Sequence, residues 1–352
     1  MKKSIYLFFV LTVPMAFGQN QKADSLLAAY LQKSQSIGMV AGVAKGGARM
    51  TLSDGFANRE SNESISAKTK VRIASVSKIL TATAIMQLVE RGKLQLDQRV
   101  AALVPDLPAH LSEVTVRQLL DHSSGIRAYQ SSKERENTKA YASLKEAAKI
   151  FVEDELEADP GQQFSYTTYG YVLLGLVIEN VSSQSYEAYM NTHILAPLAM
   201  ENTGVEQYSA LPKPISEVYF KNGKGKVRHM PRTDLSDRIP GGGFYSTVDD
   251  MLTFGEALIS GKLISRSSFE QMTKDSGLKK QGNPYGLGLY LYGENPNYGN
   301  VVGHSGTQRG ASVQLMLLPD IGAVTFVASN TSRTWEDVFV LSVLYFQLTD
   351  DL

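Results

Sequence analysis

The chain has 352 residues, of which 43% are apolar and 20% are charged, a balance typical of a folded globular protein. Lysine plus arginine equals aspartate plus glutamate at 35 each, so the sequence lacks the basic excess that binding to nucleic acid or an anionic membrane requires. The expected partner is therefore a small molecule or a peptide. No cysteine occurs, which excludes disulfides and a thiol nucleophile.

The N-terminal segment has the pattern of a secretory signal peptide. Two lysines follow Met1, an apolar run covers residues 5–17, and a small-x-small triplet ends at Gly18. The run is too short to span a bilayer. We therefore predict that residues 1–18 are a signal peptide cleaved after Gly18, that the mature protein is secreted or periplasmic, and that it has no stable membrane span.

The spacing of apolar residues then changes from a helical period to a strand period and back. It predicts a helix over Ala23–Lys33. The segments Met39–Ala44 and Arg49–Phe56 flank Gly46-Gly47 and predict a hairpin with a tight turn. From Ser75 to Arg91 the sequence is apolar on nearly every side, so we expect a helix that is buried all round.

The remaining chain is mostly helical in pattern and becomes strand-like near its end. The predicted helices are Thr115–Asp121, Ser143–Glu153, Tyr169–Asn180, Ser185–Ile194 and Asp249–Ile259, with irregular structure or short strands between Gln207 and Arg238. The predicted strands are Gly286–Tyr292, Ala311–Leu318 and Ala323–Ala328, and an amphipathic helix from Trp335 to Phe346 follows them.

Strand patterns at both ends with helices between them predict an α+β fold. Consecutive hairpins without β-α-β alternation favour an antiparallel sheet, built from both termini and flanked by helices. Within residues 19–352 we expect an α/β lobe of about 19–96 plus 285–352 and an inserted, mainly helical lobe of about 97–284. A site is expected in the cleft where the two lobes meet.

The tetrapeptide Ser-x-x-Lys occurs twice, at Ser75–Lys78 and at Ser276–Lys279. The second copy lies in a polar stretch that is typical of a loop with solvated lysines. The first copy opens the buried helix, where residues three apart lie on one face about 5 Å apart along the axis. Lys78 can therefore reach the Ser75 hydroxyl.

This pair has a chemical interpretation and a structural one. A serine hydroxyl becomes a nucleophile when a base takes its proton, and a lysine is such a base only when burial or nearby positive charge keeps it neutral. The helix N-terminus adds backbone N–H groups that suit an oxyanion. The alternative is an N-cap serine followed by a lysine whose amine reaches solvent. The two residues alone leave both interpretations open.

A resemblance to a known family favours the chemical one. Residues 72–78 (RIASVSK), followed by an apolar helix and residues 92–97 (GKLQLD), resemble the first active-site motif of serine hydrolases related to class C β-lactamases. That superfamily also holds D-Ala-D-Ala carboxypeptidases, D-aminopeptidases, penicillin-recognising esterases and filament-forming lactamase-like peptidases. Further matches follow in the family's order at 119–125 (LLDHSSG), 160–171 (PGQQFSYTTYGY), 197–200 (PLAM), 241–247 (GGGFYST) and 303–307 (GHSGT). The resemblance covers nearly all of the mature chain and implies a β-lactamase/transpeptidase-like fold.

The second motif of this family is Tyr-x-Asn, and the flanking residues align it with Tyr166-Thr167-Thr168. The resemblance implies that Tyr166 is a second acid/base, with a pKa lowered by the adjacent Lys78. Without the flanks, a tyrosine here is a packing residue with a hydrated hydroxyl. Thr168 replaces the asparagine that helps to hold an acylamino group, so recognition of a penicillin-like side chain is not expected to carry over.

The third motif, Lys-Thr-Gly in class C lactamases, is His304-Ser305-Gly306 here, the His-x-Gly form of esterase and peptidase members. The resemblance assigns all three residues to substrate binding, with His304 bonded to Tyr166 or to the substrate and charged only part of the time at neutral pH. Gly306 is expected to let the strand approach the substrate. The backbone N–H of Thr307 is the implied second oxyanion donor beside that of Ser75. A lone histidine at a strand edge is otherwise structural.

The remaining histidines do not indicate a metal or a cofactor. His110, His193 and His229 have no ligand spacing, so we expect neither a metal nor a cofactor. His122 follows a predicted helix end and is expected to bond backbone groups and pack.

The sequence therefore favours a serine hydrolase that forms an acyl-enzyme on an ester, D-amino-acid peptide or β-lactam carbonyl. Because Thr168 and His304 differ from the lactamase form, we rank esterase or peptidase above true β-lactamase. The alternatives are a catalytically silent, penicillin-binding-like sensor and a self-assembling structural protein on the same fold. A silent module is expected to have lost Ser75, Lys78 or Tyr166, and this chain keeps all three.

Overall fold

A seven-stranded antiparallel sheet lies at the centre of the fold. The computed structural model describes residues 14–278, 284–350 and 352, and for residues 14–20 it gives the backbone. The strands are β1 Gly38–Lys45, β2 Ala48–Asn58, β3 Glu63–Ser64, β4 Val71–Arg72, β5 Gly204–Val205, β6 Tyr219–Lys221, β7 Val227–His229, β8 Phe244–Ser246, β9 Tyr290–Asn295, β10 Gly299–Gln308, β11 Ala311–Leu318, β12 Ala323–Ser329 and β13 Thr331–Ser332.

The α-helices are α1 Pro14–Ser34, α2 Ser77–Glu90, α3 Val116–Leu120, α4 Ser132–Arg135, α5 Leu144–Ala148, α6 Tyr169–Ser182, α7 Tyr186–Met190, α8 Ile239–Gly242, α9 Val248–Ile259, α10 Arg266–Met272 and α11 Trp335–Leu344. Residues 1–13 of the predicted signal peptide lie outside the described residues. In the part of the chain that the structure describes, none of these helices has the length and apolar character needed to cross a membrane.

The sheet is assembled from both ends of the chain, as predicted. Its strand order is β3-β2-β1-β12-β11-β10-β9, and β1 pairs with β2 on one side and β12 on the other. Gly46 and Gly47 form the two-residue turn of the β1–β2 hairpin with φ of 60° and 87°, a left-handed conformation that glycine adopts without steric penalty. The α+β, antiparallel prediction is therefore confirmed.

Alternate residues of β1 enter two different cores. Val40 and Ala44 face the larger core, which contains α2 and α9, whereas Met39, Ala41 and Val43 face the core formed with α1 and α11. Both faces of the sheet are thus covered by helices, and β1 is buried along nearly its whole length. The division into lobes of 19–96 plus 285–352 and 97–284 stays a prediction.

Two sequence predictions near the site need correction. Ser75 does not open the buried helix: it lies in a single 3-10 turn, Ala74–Val76, and α2 begins at Ser77. The predicted strand Gly286–Tyr292 begins later, as β9 at Tyr290, because the Leu287 N–H bonds to the Met272 carbonyl and Gly288 has a left-handed φ of 88°. The segment before β9 is therefore a loop fitted to its neighbours.

Candidate active site

The turn that carries Ser75 is held in a strained conformation by strand β10. Ala74 has φ of 47°, a left-handed conformation that residues with a Cβ rarely adopt. Gly306 of β10 packs directly on this turn, where a Cβ would come 2.7 Å from the Ile73 carbonyl oxygen and 3.1 Å from the Ser75 nitrogen. Gly306 thus lets the strand approach the nucleophile turn, and this close contact fixes the position of Ser75.

Lys78 lies one turn further along and is completely buried. Its Nζ is 3.3 Å from Ser75 Oγ, 3.3 Å from Thr168 Oγ1 and 2.8 Å from the Gly241 carbonyl oxygen. Burial, and secondly the charge of Arg238, hold the pKa of the Lys78 amine well below its usual range. If the two N–H bonds of the neutral amine point to Thr168 and Gly241, its lone pair faces the Ser75 hydroxyl, which then donates.

Arg238 is a charged neighbour that the sequence analysis did not identify. Its guanidinium is buried, donates to both carboxylate oxygens of Asp237 at 2.7 and 2.8 Å, and donates to the Glu134 and Arg135 carbonyls at 2.8 and 3.0 Å. These partners keep Arg238 charged, so its positive field disfavours a second positive charge on Lys78. Its position follows from tertiary contacts of an irregular segment, which periodicity does not reveal.

Tyr166 stands across from Lys78, with its ring centroid 4.9 Å from Nζ. We expected Lys78 to lower the pKa of the Tyr166 phenol, and this prediction is wrong. Burial, together with the neighbouring Tyr290, raises that pKa well above its usual range, and the interaction with the Ser75 hydroxyl offsets only part of the rise. An amine that is itself kept neutral carries no charge to stabilise a phenolate, so Tyr166 is a protonated hydroxyl.

Thr168 takes part in the site in a different way from the one expected. It lines the cavity in front of Ser75, but its hydroxyl is hydrogen-bonded to Lys78, and only 9% of the residue is exposed. The side chain therefore holds the base in place before any substrate binds. Its small size also fits the packing, because a Cβ on Gly241 would already lie 2.6 Å from Thr168 Cγ2.

His304 does not reach the cavity, contrary to its predicted role in substrate binding. The ring is buried, with Nε2 3.0 Å from the Tyr285 hydroxyl and Nδ1 2.5 Å from the Ser305 carbonyl oxygen. A carbonyl only accepts, so the proton is on Nδ1, and Nε2 accepts from Tyr285. Burial lowers the pKa of His304 to about 3, which makes the ring neutral rather than partly charged.

The other predicted residues of β10 divide between the cavity and the sheet. Thr307 lines the cavity beside Ser75, and the oxyanion role of the two backbone N–H groups stays a prediction. Ser305 pairs in the sheet with Gln314 and interacts with the Tyr292 hydroxyl, and neither Ser305 nor Gly306 is among the residues that line the cavity. Among the third-motif residues, then, Gly306 packs on the nucleophile turn. His304 packs on Tyr285 and Tyr290, which together with Tyr166 form an aromatic wall.

His122 makes the backbone contacts that we predicted. Its Nδ1 accepts from the Thr167 backbone N–H at 3.3 Å, and its carbonyl accepts from the Ser165 N–H at 2.8 Å. The ring also packs on Tyr166, with centroids 4.2 Å apart, and on Tyr285 at 4.9 Å. The residue therefore belongs to the aromatic wall that orients Tyr166, a role that a position after a helix end does not reveal.

The buried Arg72 joins segments that line the cavity. Its guanidinium pairs with Glu206, with Nη2 and Oε1 2.5 Å apart, and donates to the Thr233 side chain and to the Arg309 carbonyl at 3.0 Å each. Thr233 and Arg309 both line the cavity. The first residue of the first motif is thus a structural link between the chain leading to the nucleophile turn and the cavity segments around Thr233 and Arg309.

The cavity in front of Ser75 has a volume of about 400 Å³. Polar residues that line it include Ser75, Tyr166, Thr168, Arg238 and Thr307, and its large apolar residues include Phe220, Leu235 and Trp335. Across the described ranges, which omit 1–13, 279–283 and 351, no group of three His, Asp or Glu residues is arranged to hold a metal ion. The second Ser-x-x-Lys copy places Ser276 in a loop, and its Lys279 lies outside the described residues.

Comparison with known proteins decides the family. A family model described as Beta-lactamase matches residues 23–347. The chain belongs to the Beta-lactamase family. Protein flp of Staphylococcus aureus strain MW2 is 28% identical over 325 residues, which cover 90% of this chain and 64% of that protein. The chain thus spans less than two thirds of the length of this relative.

Two solved structures have the same fold. The octameric penicillin-binding protein homologue from Pyrococcus abyssi superposes with a TM-score of 0.82 at 27% identity and covers 94% of this chain and 77% of that one. A D-stereospecific amidohydrolase from Streptomyces sp. gives a TM-score of 0.77 at 26% identity, with 91% and 98% covered. The family match and these neighbours place the chain in the serine hydrolase superfamily. Membership of the family does not by itself specify the substrate.

Proposed function

We propose that this protein is a serine hydrolase in which Ser75 attacks an ester or amide carbonyl and is transiently acylated. The contact between the buried, neutral Lys78 amine and the Ser75 hydroxyl at 3.3 Å carries the proposal. An amine of this kind accepts a proton at neutral pH without first having to lose one.

In the acylation step, Lys78 takes the hydroxyl proton while Ser75 Oγ forms a bond to the carbonyl carbon. The carbonyl oxygen becomes an oxyanion that accepts from the N–H groups of Ser75 and Thr307. Tyr166, protonated because its pKa is raised, donates its proton to the leaving group as the bond to it breaks. Tyr166 regains a proton from Lys78, and the neutral amine is restored.

Deacylation uses the same groups in reverse. A water molecule attacks the acyl carbon, gives a proton to the base, and the Ser75–acyl bond breaks as Ser75 Oγ is reprotonated. No metal or cofactor takes part in this scheme. The net reaction adds one water across the ester or amide bond.

Two features support an ester or a D-amino-acid amide or peptide over a β-lactam. The Thr168 hydroxyl is engaged by Lys78, and His304 is buried and neutral, so neither supplies the amide or cationic groups of the lactamase motifs. Similarity to a D-stereospecific amidohydrolase agrees with this ranking. We also propose that the protein is exported after cleavage behind Gly18, which N-terminal sequencing of the protein from a periplasmic or culture fraction tests.

Labelling with a fluorescent fluorophosphonate tests the nucleophile. We expect wild type and Ser276→Ala, which removes the serine of the second Ser-x-x-Lys copy, to label equally. Ser75→Ala is expected to lose the label. Failure to label a folded wild-type protein, or a label that survives Ser75→Ala, would refute the proposed function.

A further inference from the structure

Among the residues that line the Ser75 cavity, Phe220, Leu235 and Trp335 have large apolar side chains, and we call these three the apolar wall. Trp335 is the single tryptophan of the chain, and 45% of it is exposed. A large aromatic group in water is unfavourable, since burying aromatic surface is a main source of stability and binding energy. This exposed indole therefore stands where a ligand can cover it.

The wall is held by strand pairing. Strand β13 pairs with β6 in parallel, which sets Ser332 beside Phe220, and the Ser332 hydroxyl donates to the Tyr219 carbonyl at 3.1 Å. Trp335 begins α11 three residues after this strand, and its ring rests edge-on against Phe339, with centroids 6.0 Å apart. Phe339 thus packs against the indole, and the indole itself lines the cavity.

Other large exposed apolar residues do not share this setting. Phe56, Tyr208 and Val340 are exposed as well, but none of them lines the cavity of Ser75. The cavity lining thus includes both the reacting groups around Ser75 and the apolar wall, with the Arg333 guanidinium over the Phe220 ring at 4.9 Å. A substrate that places its carbonyl at Ser75 and an apolar group at this wall matches both regions.

We infer that Phe220, Leu235 and Trp335 form an apolar subsite that binds an aromatic or branched aliphatic group of the substrate. This inference rests on the proposed hydrolase function and specifies its substrate class. The apolar group can belong to the acyl part or to the leaving group, and the experiment distinguishes the two.

Three esters provide the kinetic test: methyl acetate as the reference, methyl phenylacetate with an aromatic acyl part, and benzyl acetate with an aromatic leaving group. Acid release is followed in a pH-stat and corrected for each ester's alkaline hydrolysis. We expect one aromatic ester to exceed methyl acetate in kcat/KM by ~10-fold or more, as hydrophobic pockets typically discriminate. Trp335→Ala should remove most of this preference, and Trp335→Phe should retain most of it.

The matched control is Tyr208→Ala, which removes an exposed aromatic residue outside the cavity and should leave all three rates unchanged. Tryptophan fluorescence adds a direct readout because Trp335 is the only tryptophan. In Ser75→Ala, the preferred aromatic ester should shift or quench the emission, and methyl acetate should not.

The failures of the two proposals are distinguishable. If wild type hydrolyses no ester and no fluorophosphonate attaches to Ser75, the proposed function is wrong. If hydrolysis depends on Ser75 but neither aromatic ester is preferred, or the preference survives Trp335→Ala, the subsite inference is wrong while the function stands. Concentration-dependent association in light scattering that Trp335→Ala abolishes would also overturn it, because the indole would then belong to an interface between copies.

Discussion

The Lys78 amine is buried completely and lies 3.3 Å from the Ser75 hydroxyl. Burial makes the neutral form of the amine the stable one, and the contact directs that form at the serine. Substitution of Lys78 by methionine, which has a similar length and no basic group, should slow fluorophosphonate labelling by ~10²–10⁴-fold. Lys78→Arg should not restore the rate, because arginine stays protonated. Labelling by Lys78→Met at the wild-type rate would eliminate Lys78 as the base.

The same substitution should stabilise the fold. The pKa of Lys78 in the folded state lies well below its usual value of 10.5, so the unfolded chain binds the proton more readily. The resulting penalty to the folded state is present at neutral pH and fades as pH rises toward 10.5. Lys78→Met should therefore raise the free energy of unfolding at pH 7 by about 0.5–2 kcal/mol. Denaturant unfolding at pH 7 and near pH 10 measures the difference, which should shrink at the higher pH.

Arg238 should set the acid limb of the pH–rate profile through Lys78. Activity requires the neutral amine, so kcat/KM rises with pH through the pKa of Lys78. Removing the guanidinium and its partner charge together, with Arg238→Met and Asp237→Asn, should raise that pKa and move the limb to higher pH. Asp237→Asn alone serves as the comparison. His304 should add no limb near 6.5, because its pKa is about 3. If the acid limb does not move, Arg238 does not control the pKa of Lys78.

The Tyr166 phenol should matter most when the leaving group is poor. Because the phenol is protonated, its role is to donate a proton, and a p-nitrophenolate leaving group hardly needs one. Tyr166→Phe should lower kcat/KM for an amide by ~10²–10⁴-fold and for a p-nitrophenyl ester far less. Equal losses on the two substrates would indicate that Tyr166 acts on the nucleophile instead.

Gly306 should not tolerate a methyl group. A Cβ would come 2.7 Å from the Ile73 carbonyl oxygen and would press on the turn of Ser75. We expect Gly306→Ala to lose about 1–3 kcal/mol of stability and most of its labelling. Gly223→Ala is the control, since a Cβ there meets no atom within 4 Å. Wild-type stability and labelling in Gly306→Ala would contradict the tight contact.

The sequence was informative where a local pattern determines the structure. The two-glycine hairpin turn and the all-round apolar helix α2 follow from short-range rules, and both are confirmed. The spacing of apolar residues did not predict strand β10, because residues 299–308 hold three glycines and mostly polar side chains. Only pairing with β9 and β11 makes that segment a strand.

The sequence predicted which residues form the site better than it predicted their protonation states. Motif order brought Ser75, Lys78, Tyr166 and Thr168 together, yet the protonation of Tyr166 and His304 depends on burial that sequence does not report. Arg238 and His122 reach the site through long-range packing, so no local signal marks them. Threonine in place of asparagine at position 168 could be interpreted only from the structure, in which its hydroxyl is hydrogen-bonded to Lys78.

Trapping the acyl-enzyme tests the central claim most directly. Wild type is mixed with p-nitrophenyl acetate at neutral pH, quenched in acid and digested with trypsin, and the peptide Ile73–Lys78 is fragmented in a mass spectrometer. We predict an acetyl group on Ser75, absent from Ser75→Ala and strongly reduced in Lys78→Met, in which the lost cleavage site extends the peptide to Arg91. An acetyl group on Ser77 or elsewhere, or turnover with no acylated peptide in a quenched, active enzyme, would contradict the account.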